Sequence, residues 1–185
     1  MFSRRTILAA ALAAAFSVGC GPRGPVKRPD GGSGLLPIGS RAPDLVARGP
    51  DRQEVRLSEL QGKLVVVYFY PGDGTPGCTQ EACAFRDAWK RYEKQEVAII
   101  GVSTNNAESH AKFQHDEKLP FALAPDEDGK IGSAYGVRKT AFGYERVSFL
   151  IDGEGRIARV WEDVDPGVHA DQVLAEAKRV RGASR

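Results

Sequence analysis

The residues with the clearest chemical potential lie in one segment, where Cys78 follows Thr75 and Pro76. Thr followed by Pro is a favoured order for an N-cap and a first helical position, so we expect a helix to begin at Pro76. Cys78 then lies in the first helical turn, where unpaired N–H groups and the positive end of the helix dipole stabilise a thiolate relative to a thiol. Because the thiolate is the nucleophilic form, this position predicts a reactive cysteine rather than a small core residue.

A second cysteine, Cys83, lies five residues further along the same expected helix. Ideal helical geometry separates Cα atoms at that spacing by about 8.6 Å, whereas a disulfide tolerates only about 7 Å. The two cysteines therefore form a redox couple only if the first turns of the helix unwind. The C-x4-C spacing differs from the C-x-x-C of thiol–disulfide exchange proteins and from the pairs typical of structural zinc sites. Metal binding is the poorer interpretation, and we expect His110 and His115 to be solvated.

The elements around these residues predict an α/β fold. Segments 64–69 and 97–102 are continuous apolar runs, typical of strands buried on both faces, and apolar residues recur at helical spacing between them. Together they predict a βαβ unit with a right-handed crossover. The later patterns predict a helix over 107–117, a strand over 121–124 and a short helix over 129–135. They end with a hairpin of two strands, 146–151 and 156–161, and a final helix over 168–180. This order indicates a thioredoxin-like fold, with a central mixed β-sheet flanked by helices.

Arg146 opens the first strand of the expected hairpin. The apolar residues that follow it alternate towards one face, so Arg146 belongs on the other face or at the mouth of the strand. From that position it would lie near Cys78, stabilise the thiolate and bind a substrate oxygen. The alternative is a solvated arginine at a strand end.

The first 19 residues predict a secretory signal peptide. Arg4 and Arg5 precede an apolar run over 7–18 that reaches about 18 Å, too short for a bilayer of about 30 Å. Val18-Gly19-Cys20-Gly21 resembles the lipobox of bacterial lipoproteins, in which the chain is cut before a cysteine that then carries lipid. A cut after the alanines at 13–15, leaving Cys20 as a free thiol, is the alternative. We therefore expect an exported, lipid-anchored protein of the cell envelope.

Composition sets the domain organisation and argues against some partners. Residues 20–36 are rich in Gly and Pro, which predicts a flexible tether, and 37–185 are expected to form one folded domain. The chain has 26 Lys+Arg against 24 Asp+Glu, and without Arg4 and Arg5 the two signs balance at 24 each. A strongly basic surface for nucleic acid is therefore not expected.

Over 36–180 the sequence resembles the peroxiredoxin family, most closely its Q type, also called bacterioferritin comigratory protein. The resemblance is carried by Phe-Tyr-Pro71-x-x-x-Thr75-x-x-Cys78-Thr, by Cys83, and by Arg146 two residues before Ser-Phe-Leu-Ile-Asp. It implies that Cys78 attacks the peroxide and that Cys83 resolves the resulting sulfenic acid as an intramolecular disulfide. Thr75 and Arg146 would contact the substrate, and Pro71 would form a wall of the pocket.

The same resemblance implies the reaction and its partners. Hydrogen peroxide and organic hydroperoxides would be the substrates, and thioredoxin or an equivalent dithiol would restore both thiols, without metal, haem or flavin. We expect a monomer or weak dimer that meets the membrane only through its N-terminal lipid.

An exported thiol–disulfide oxidoreductase would instead require C-x-x-C. A copper-delivery lipoprotein of the same fold would require C-x3-C and a histidine beside the final hairpin, which the sequence does not suggest. If the protein were a purely binding or structural lipoprotein, the presence of Pro71, Thr75, Cys78 and Arg146 would be a coincidence.

Overall fold

The computed structural model describes residues 24–183, so the predicted signal peptide (1–19) and Cys20 lie outside the described residues. None of the helices in the described range is long and apolar enough to cross a membrane. Over residues 24–183, nine strands, five α-helices and one 3-10 helix follow each other as β1 (Val46–Arg48), β2 (Glu54–Arg56), the 3-10 helix (Leu57–Leu60), β3 (Leu64–Phe69), α1 (Pro76–Asp87), α2 (Trp89–Lys94), β4 (Val97–Ser103), α3 (Ala107–Glu117), β5 (Ala122–Pro125), α4 (Lys130–Tyr135), β6 (Lys139–Thr140), β7 (Gly143–Tyr144), β8 (Val147–Ile151), β9 (Ile157–Trp161) and α5 (His169–Ala183).

Seven of these strands form one mixed sheet in the order β2-β1-β5-β4-β3-β8-β9. Strands β3, β4 and β5 run parallel, whereas β8 pairs antiparallel with β3 and β9 pairs antiparallel with β8. The predicted βαβ unit and terminal hairpin are therefore confirmed. Strands β6 and β7 form a separate small hairpin.

Both faces of the sheet are buried, as the apolar run of β3 predicts. Leu64, Val66 and Tyr68 pack on the face covered by α1, α3 and α5. Val65 and Val67 point to the opposite face, with Phe69, α4 and β7. Burial of each large apolar side chain contributes about 1.5–3 kcal/mol, so packing on both faces fixes β3 in the centre of the sheet. The loop that follows β3 therefore starts from a rigid position.

The helix after β3 is interrupted, although its apolar pattern is continuous. Ala88 has φ −86° and ψ −1°, which ends α1, and α2 begins at Trp89. Phe85 in α1 and Tyr92 in α2 are nevertheless buried in the same core. The apolar spacing does not indicate the break between α1 and α2, because the same spacing continues from one helix into the next. Strands β1 and β2 were not predicted, since three residues are too few for an alternating pattern to show.

The end of the expected flexible tether, Leu35 and Leu36, packs against the core of the domain. The Arg28 guanidinium donates to the main-chain oxygens of Gly34 and Leu35 and closes a turn. Leu36 is 4% exposed, and its N–H donates to the Tyr135 carbonyl oxygen across 3.1 Å. Composition does not indicate these contacts, because they come from single residues. Leu35 and Leu36 supply the burial and Arg28 the hydrogen bonds, within a segment otherwise rich in Gly and Pro.

Candidate active site

Cys78 occupies the position predicted for it, at the third residue of α1. Thr75 is the N-cap and Pro76 is the first helical residue, so the free N–H groups of the first turn surround the cysteine. The residue is only 1% exposed. A charge on this sulfur therefore depends on protein dipoles and neighbouring cations rather than on water.

Arg146 supplies that cation. Phe69 pairs with Val147 in the β3–β8 register, which places Arg146 beside the end of β3, where the active-site loop begins. Its Nη2 donates to Cys78 Sγ across 3.6 Å. A Cβ on Gly77 would lie 3.2 Å from the same Nη2, so glycine at this position leaves the guanidinium room to approach. The predicted proximity of Arg146 and Cys78 is therefore confirmed in the structure.

Glu81 completes this ion cluster, and the sequence analysis did not identify it. Its side chain is 0% exposed, and its Oε2 accepts a hydrogen bond from Arg146 Nη1 across 2.5 Å. Burial raises the pKa of Glu81 to about 7, although the Arg146 charge and hydrogen bond act in the opposite direction. Glu81 Oε1 is buried and has no hydrogen-bond partner within residues 24–183. The available signal was its position one helical turn after Cys78, on the same side of α1.

Burial alone would lower the pKa of Arg146, but the Glu81 charge and the Cys78 sulfur raise it above its ordinary value. The guanidinium is therefore permanently charged and is held in one orientation by Glu81. While Nη1 is bound to Glu81, Nη2 faces the Cys78 sulfur.

The Thr75 side chain does not cap α1, although Thr75 is the N-cap residue. Its hydroxyl instead donates to the Gly72 carbonyl oxygen across 3.2 Å and lies at the surface of the loop. The hydroxyl oxygen keeps free lone pairs, so it can accept a further hydrogen bond.

Pro71 lies against the β6–β7 hairpin. A Cβ at Gly143 would lie 1.8 Å from the Pro71 carbonyl oxygen, and Gly143 has φ +104°, so glycine is required there on both counts. The hairpin therefore buttresses the loop from the side opposite α1.

His110 is not solvated, contrary to the sequence-based expectation, and belongs to a buried network behind the loop. Its Nδ1 lies 3.0 Å from Asp73 Oδ2, and both side chains are less than 10% exposed. Tyr70 Oη donates to Asp73 Oδ1 across 2.7 Å, and Ser109 Oγ donates to Oδ2 across 2.6 Å. The Asp73 N–H donates to the Asn105 side chain. Burial alone would raise the pKa of Asp73, but its hydrogen bonds to His110, Ser109 and Tyr70 lower it below the ordinary value.

This network fixes the start of α3 to the loop between Pro71 and Thr75. No sequence pattern indicates this network, because Asp73 and His110 are 37 residues apart and either residue is ordinarily solvated. His115, in contrast, is exposed as predicted.

Cys83 lies on the same continuous helix as Cys78, and both are free thiols. The helical distance argument therefore applies unchanged, and a bond between them requires α1 to unwind. Cys83 Sγ donates to Glu117 Oε2 across 3.4 Å. Burial, followed by the hydrogen bond to Glu117, raises the pKa of the Cys83 thiol above its ordinary value.

His169 requires a correction, since we expected no histidine beside the final hairpin. Its Nε2 lies 2.9 Å from Ser148 Oγ on β8, and its ring packs against Trp161 on β9. Burial lowers the pKa of His169 to about 4, so the ring is neutral at ordinary pH. Among residues 24–183, no three His, Cys, Asp or Glu side chains cluster so that they could hold a metal ion.

The fold and this site together define a class of protein. A mixed sheet carries a cysteine at the start of the helix after its central strand, and a half-buried arginine contacts the sulfur. This arrangement is that of a redox enzyme of thioredoxin-like fold that uses a cysteine thiolate as nucleophile.

Comparison with known proteins identifies the family. Residues 38–160 match the AhpC/TSA family. The chain is 41% identical over 150 residues to peroxiredoxin Bcp of Bacillus subtilis, which covers 77% of this chain and 96% of that protein. Peroxiredoxin Q of Xanthomonas campestris is 32% identical with a TM-score of 0.66 over 73% of this chain and 90% of that one. Peroxidoxin BcpB of Mycobacterium tuberculosis is 29% identical with a TM-score of 0.71, over 78% and 98%.

The chain belongs to the AhpC/TSA family and, within it, to the peroxiredoxin Q/Bcp group of thiol-dependent peroxidases. The predicted family, thioredoxin-like fold and enzyme class are confirmed.

Proposed function

We propose that Cys78 is the peroxidatic cysteine and that it reduces hydrogen peroxide and organic hydroperoxides. The observation that carries this role is the position of its sulfur, in the first turn of α1 and 3.6 Å from the Arg146 guanidinium. The thiolate attacks one peroxide oxygen in line with the O–O bond. That bond breaks, a sulfenic acid remains on Cys78, and water or an alcohol leaves after the departing oxygen takes up a proton.

The departing oxygen is strongly basic, so the barrier falls only if its developing charge is stabilised. Donors aimed at that charge typically change such rates by about 10²–10³ each. Arg146 and the main-chain N–H groups at the start of α1 supply donors beside the sulfur. The Thr75 hydroxyl, whose proton is donated to the Gly72 carbonyl oxygen, accepts a hydrogen bond from the peroxide and helps to orient it. Pro71 forms part of the pocket wall and limits the access of water, because the β6–β7 hairpin holds it in place.

Cys83 then resolves the sulfenic acid. After α1 unwinds locally, the Cys83 sulfur forms a bond to Cys78, and the sulfenic hydroxyl leaves as water. An external dithiol, thioredoxin or an equivalent protein, reduces the intramolecular disulfide and restores both thiols. None of these steps requires a bound metal or organic cofactor.

The N-terminal segment determines where this chemistry takes place. The arginine pair, the short apolar run and the lipobox-like sequence support export to the cell envelope, with lipid attached at Cys20. The protein then meets the membrane through this lipid alone and acts as a monomer or weak dimer.

Three cysteine variants of the full chain test the proposed function. Cys78→Ser should abolish peroxide consumption, whereas Cys83→Ser should complete one turnover and then stall until a small thiol is added. Cys20→Ser is the matched control and should consume peroxide at the wild-type rate. Peroxide consumption and the mass of each cysteine-containing peptide are the measurements. Full activity in Cys78→Ser would exclude the assignment.

A further inference from the structure

Cys83 has a partner on another helix. Its Sγ donates to Glu117 Oε2 across 3.4 Å, and Glu117 is the last residue of α3. Arg86 Nη1 donates to the Glu117 main-chain oxygen across 2.8 Å, so the end of α3 is fixed against the middle of α1. Cys83 is half-buried, and the Glu117 side chain is 29% exposed. The thiol is thus docked on a carboxylate, away from Cys78.

The stability of α3 does not explain a carboxylate at this position. A negative charge in the last turn of a helix opposes the helix dipole. The residue after it, Lys118, is already in the left-handed conformation that ends the helix, with φ +53°. Arg86 Nη1 lies 4.0 Å from Glu117 Oε2, while its Nε is bound to Asp87 Oδ1 at 2.9 Å. The hydrogen bond that the Glu117 carboxylate accepts comes from Cys83.

Charges from both helices act on this thiol. Glu117 faces it from α3, and Arg86 and Asp87 lie near it on α1. Partial burial and Glu117 favour the protonated thiol, as does Asp87, whereas Arg86 acts in the opposite direction. Since only the thiolate is a good nucleophile, these contacts lower the reactivity of Cys83 towards electrophiles in the folded, reduced protein.

We propose that Glu117 is a positioning residue that keeps the Cys83 thiol protonated and docked on α3 until Cys78 has been oxidised. The inference rests on the proposed role of Cys83 as the resolving cysteine. When α1 unwinds, Cys83 leaves Glu117 and its sulfur attacks the sulfenic sulfur of Cys78. The S–O bond breaks as the S–S bond forms, and the Cys83 proton leaves with the hydroxyl as water. The Cys83 sulfur is oxidised and the sulfenic sulfur is reduced, so the step needs no further oxidant. Because the contact with Glu117 must break first, it slows resolution.

Glu117→Gln in the full chain tests this proposal, with Asp116→Asn as the matched control. Asp116 is the preceding residue of α3, it pairs with Lys112, and its replacement removes the same charge without touching Cys83. The first measurement is the rate of Cys83 alkylation by iodoacetamide in the reduced protein across a pH series, read by peptide mass. The second is stopped-flow kinetics of the peroxide and resolution steps.

We expect Glu117→Gln to increase Cys83 alkylation at neutral pH by about fivefold, the factor that one partly exposed hydrogen bond commonly provides. Its pH profile should move to lower pH, and resolution should accelerate by a similar factor. The reaction of Cys78 with peroxide should be unchanged, and Asp116→Asn should match the wild type throughout. A merely structural role for Glu117 would not move the pH profile.

Two results would overturn the inference in distinguishable ways. If the disulfide forms but Glu117→Gln has wild-type alkylation and resolution rates, Glu117 has no such role and the proposed function stands. If the wild-type protein forms no bond between Cys78 and Cys83 after peroxide treatment, the resolving role of Cys83 is wrong, and the inference falls with it.

Discussion

Replacing Arg146 by alanine tests the active site and the fold together, because the guanidinium contacts both Cys78 and Glu81. The change removes a charged donor from the sulfur and from the oxygen that departs. Loss of one such donor commonly costs about 10²–10³ in rate. We therefore expect reduced Arg146→Ala protein to react about 100-fold more slowly with hydrogen peroxide, measured by stopped-flow fluorescence.

The effect of the same substitution on stability depends on pH through Glu81. With Arg146 present, burial raises the pKa of Glu81 to about 7, from an ordinary value of 4.5. A carboxyl group whose pKa is raised by folding destabilises the folded state above its unfolded pKa, and this penalty stops growing above the folded pKa. In the wild type the penalty therefore grows between about pH 4.5 and pH 7 and then stays constant. Without Arg146 the folded pKa rises further, so the penalty continues to grow above pH 7, by roughly 1.4 kcal/mol per pH unit.

Urea unfolding at pH 6, 7, 8 and 9 measures this difference in the free energy of unfolding. It is best carried out in a Cys78→Ser background, so that ionisation of the thiol does not contribute. We expect a small loss of stability from Arg146→Ala at pH 6 and a loss of about 3 kcal/mol at pH 9.

A double variant separates the two roles of Arg146. Adding Glu81→Gln to Arg146→Ala removes the titrating carboxyl, so the pH-dependent part of the stability loss should disappear while the slow peroxide reaction remains. A stability loss of equal size at pH 6 and pH 9 would refute the coupling between Arg146 and Glu81. If the double variant reacted with peroxide at the wild-type rate, Arg146 would have no role in the reaction.

Two further predictions follow from the geometry of the loop. Thr75→Val should slow peroxide consumption by about tenfold and change the free energy of unfolding by less than about 0.5 kcal/mol, because the hydroxyl does not cap α1; a large stability loss would show that it supports the helix instead. His110→Ala should lower the free energy of unfolding at neutral pH by about 1–3 kcal/mol, because Asp73 is buried and loses a hydrogen bond to its carboxylate. Urea titration measures the second effect, with His115→Ala as the exposed control, and equal stabilities of the two variants would contradict it.

The sequence predicted the central part of this site because its signals are local. Thr75, Pro76 and Cys78 lie within four residues, and their order specifies a helix start whatever the rest of the chain does. For Arg146 the apolar alternation of β8 gave only its place at the strand mouth, and a solvated arginine remained the alternative. The resemblance to the peroxiredoxin motif favoured a position beside Cys78, which the structure shows.

The charged residues behind the site could not be predicted in the same way. A glutamate on a helix, such as Glu81, is ordinarily solvated, and only the arrival of Arg146 from 65 residues away makes its burial tolerable. The same holds for Asp73 and His110, because the residues next to either one in the sequence do not indicate that it will be buried against the other. The turn that Arg28 closes likewise depends on its side chain reaching carbonyl oxygens several residues further along the chain.

The buried Glu81 also bears on how α1 unwinds. It lies between Cys78 and Cys83, so the turns that must open to join the two sulfurs are those that carry it into solvent. Its pKa of about 7 in the folded state, against 4.5 ordinarily, means that exposure at neutral pH releases about 3 kcal/mol. Opening two turns forfeits several main-chain hydrogen bonds, each with a net value of about 1 kcal/mol. In the proposed resolution step, release of Glu81 would therefore offset part of that cost, and the residue that orients Arg146 would also make the helix easier to open.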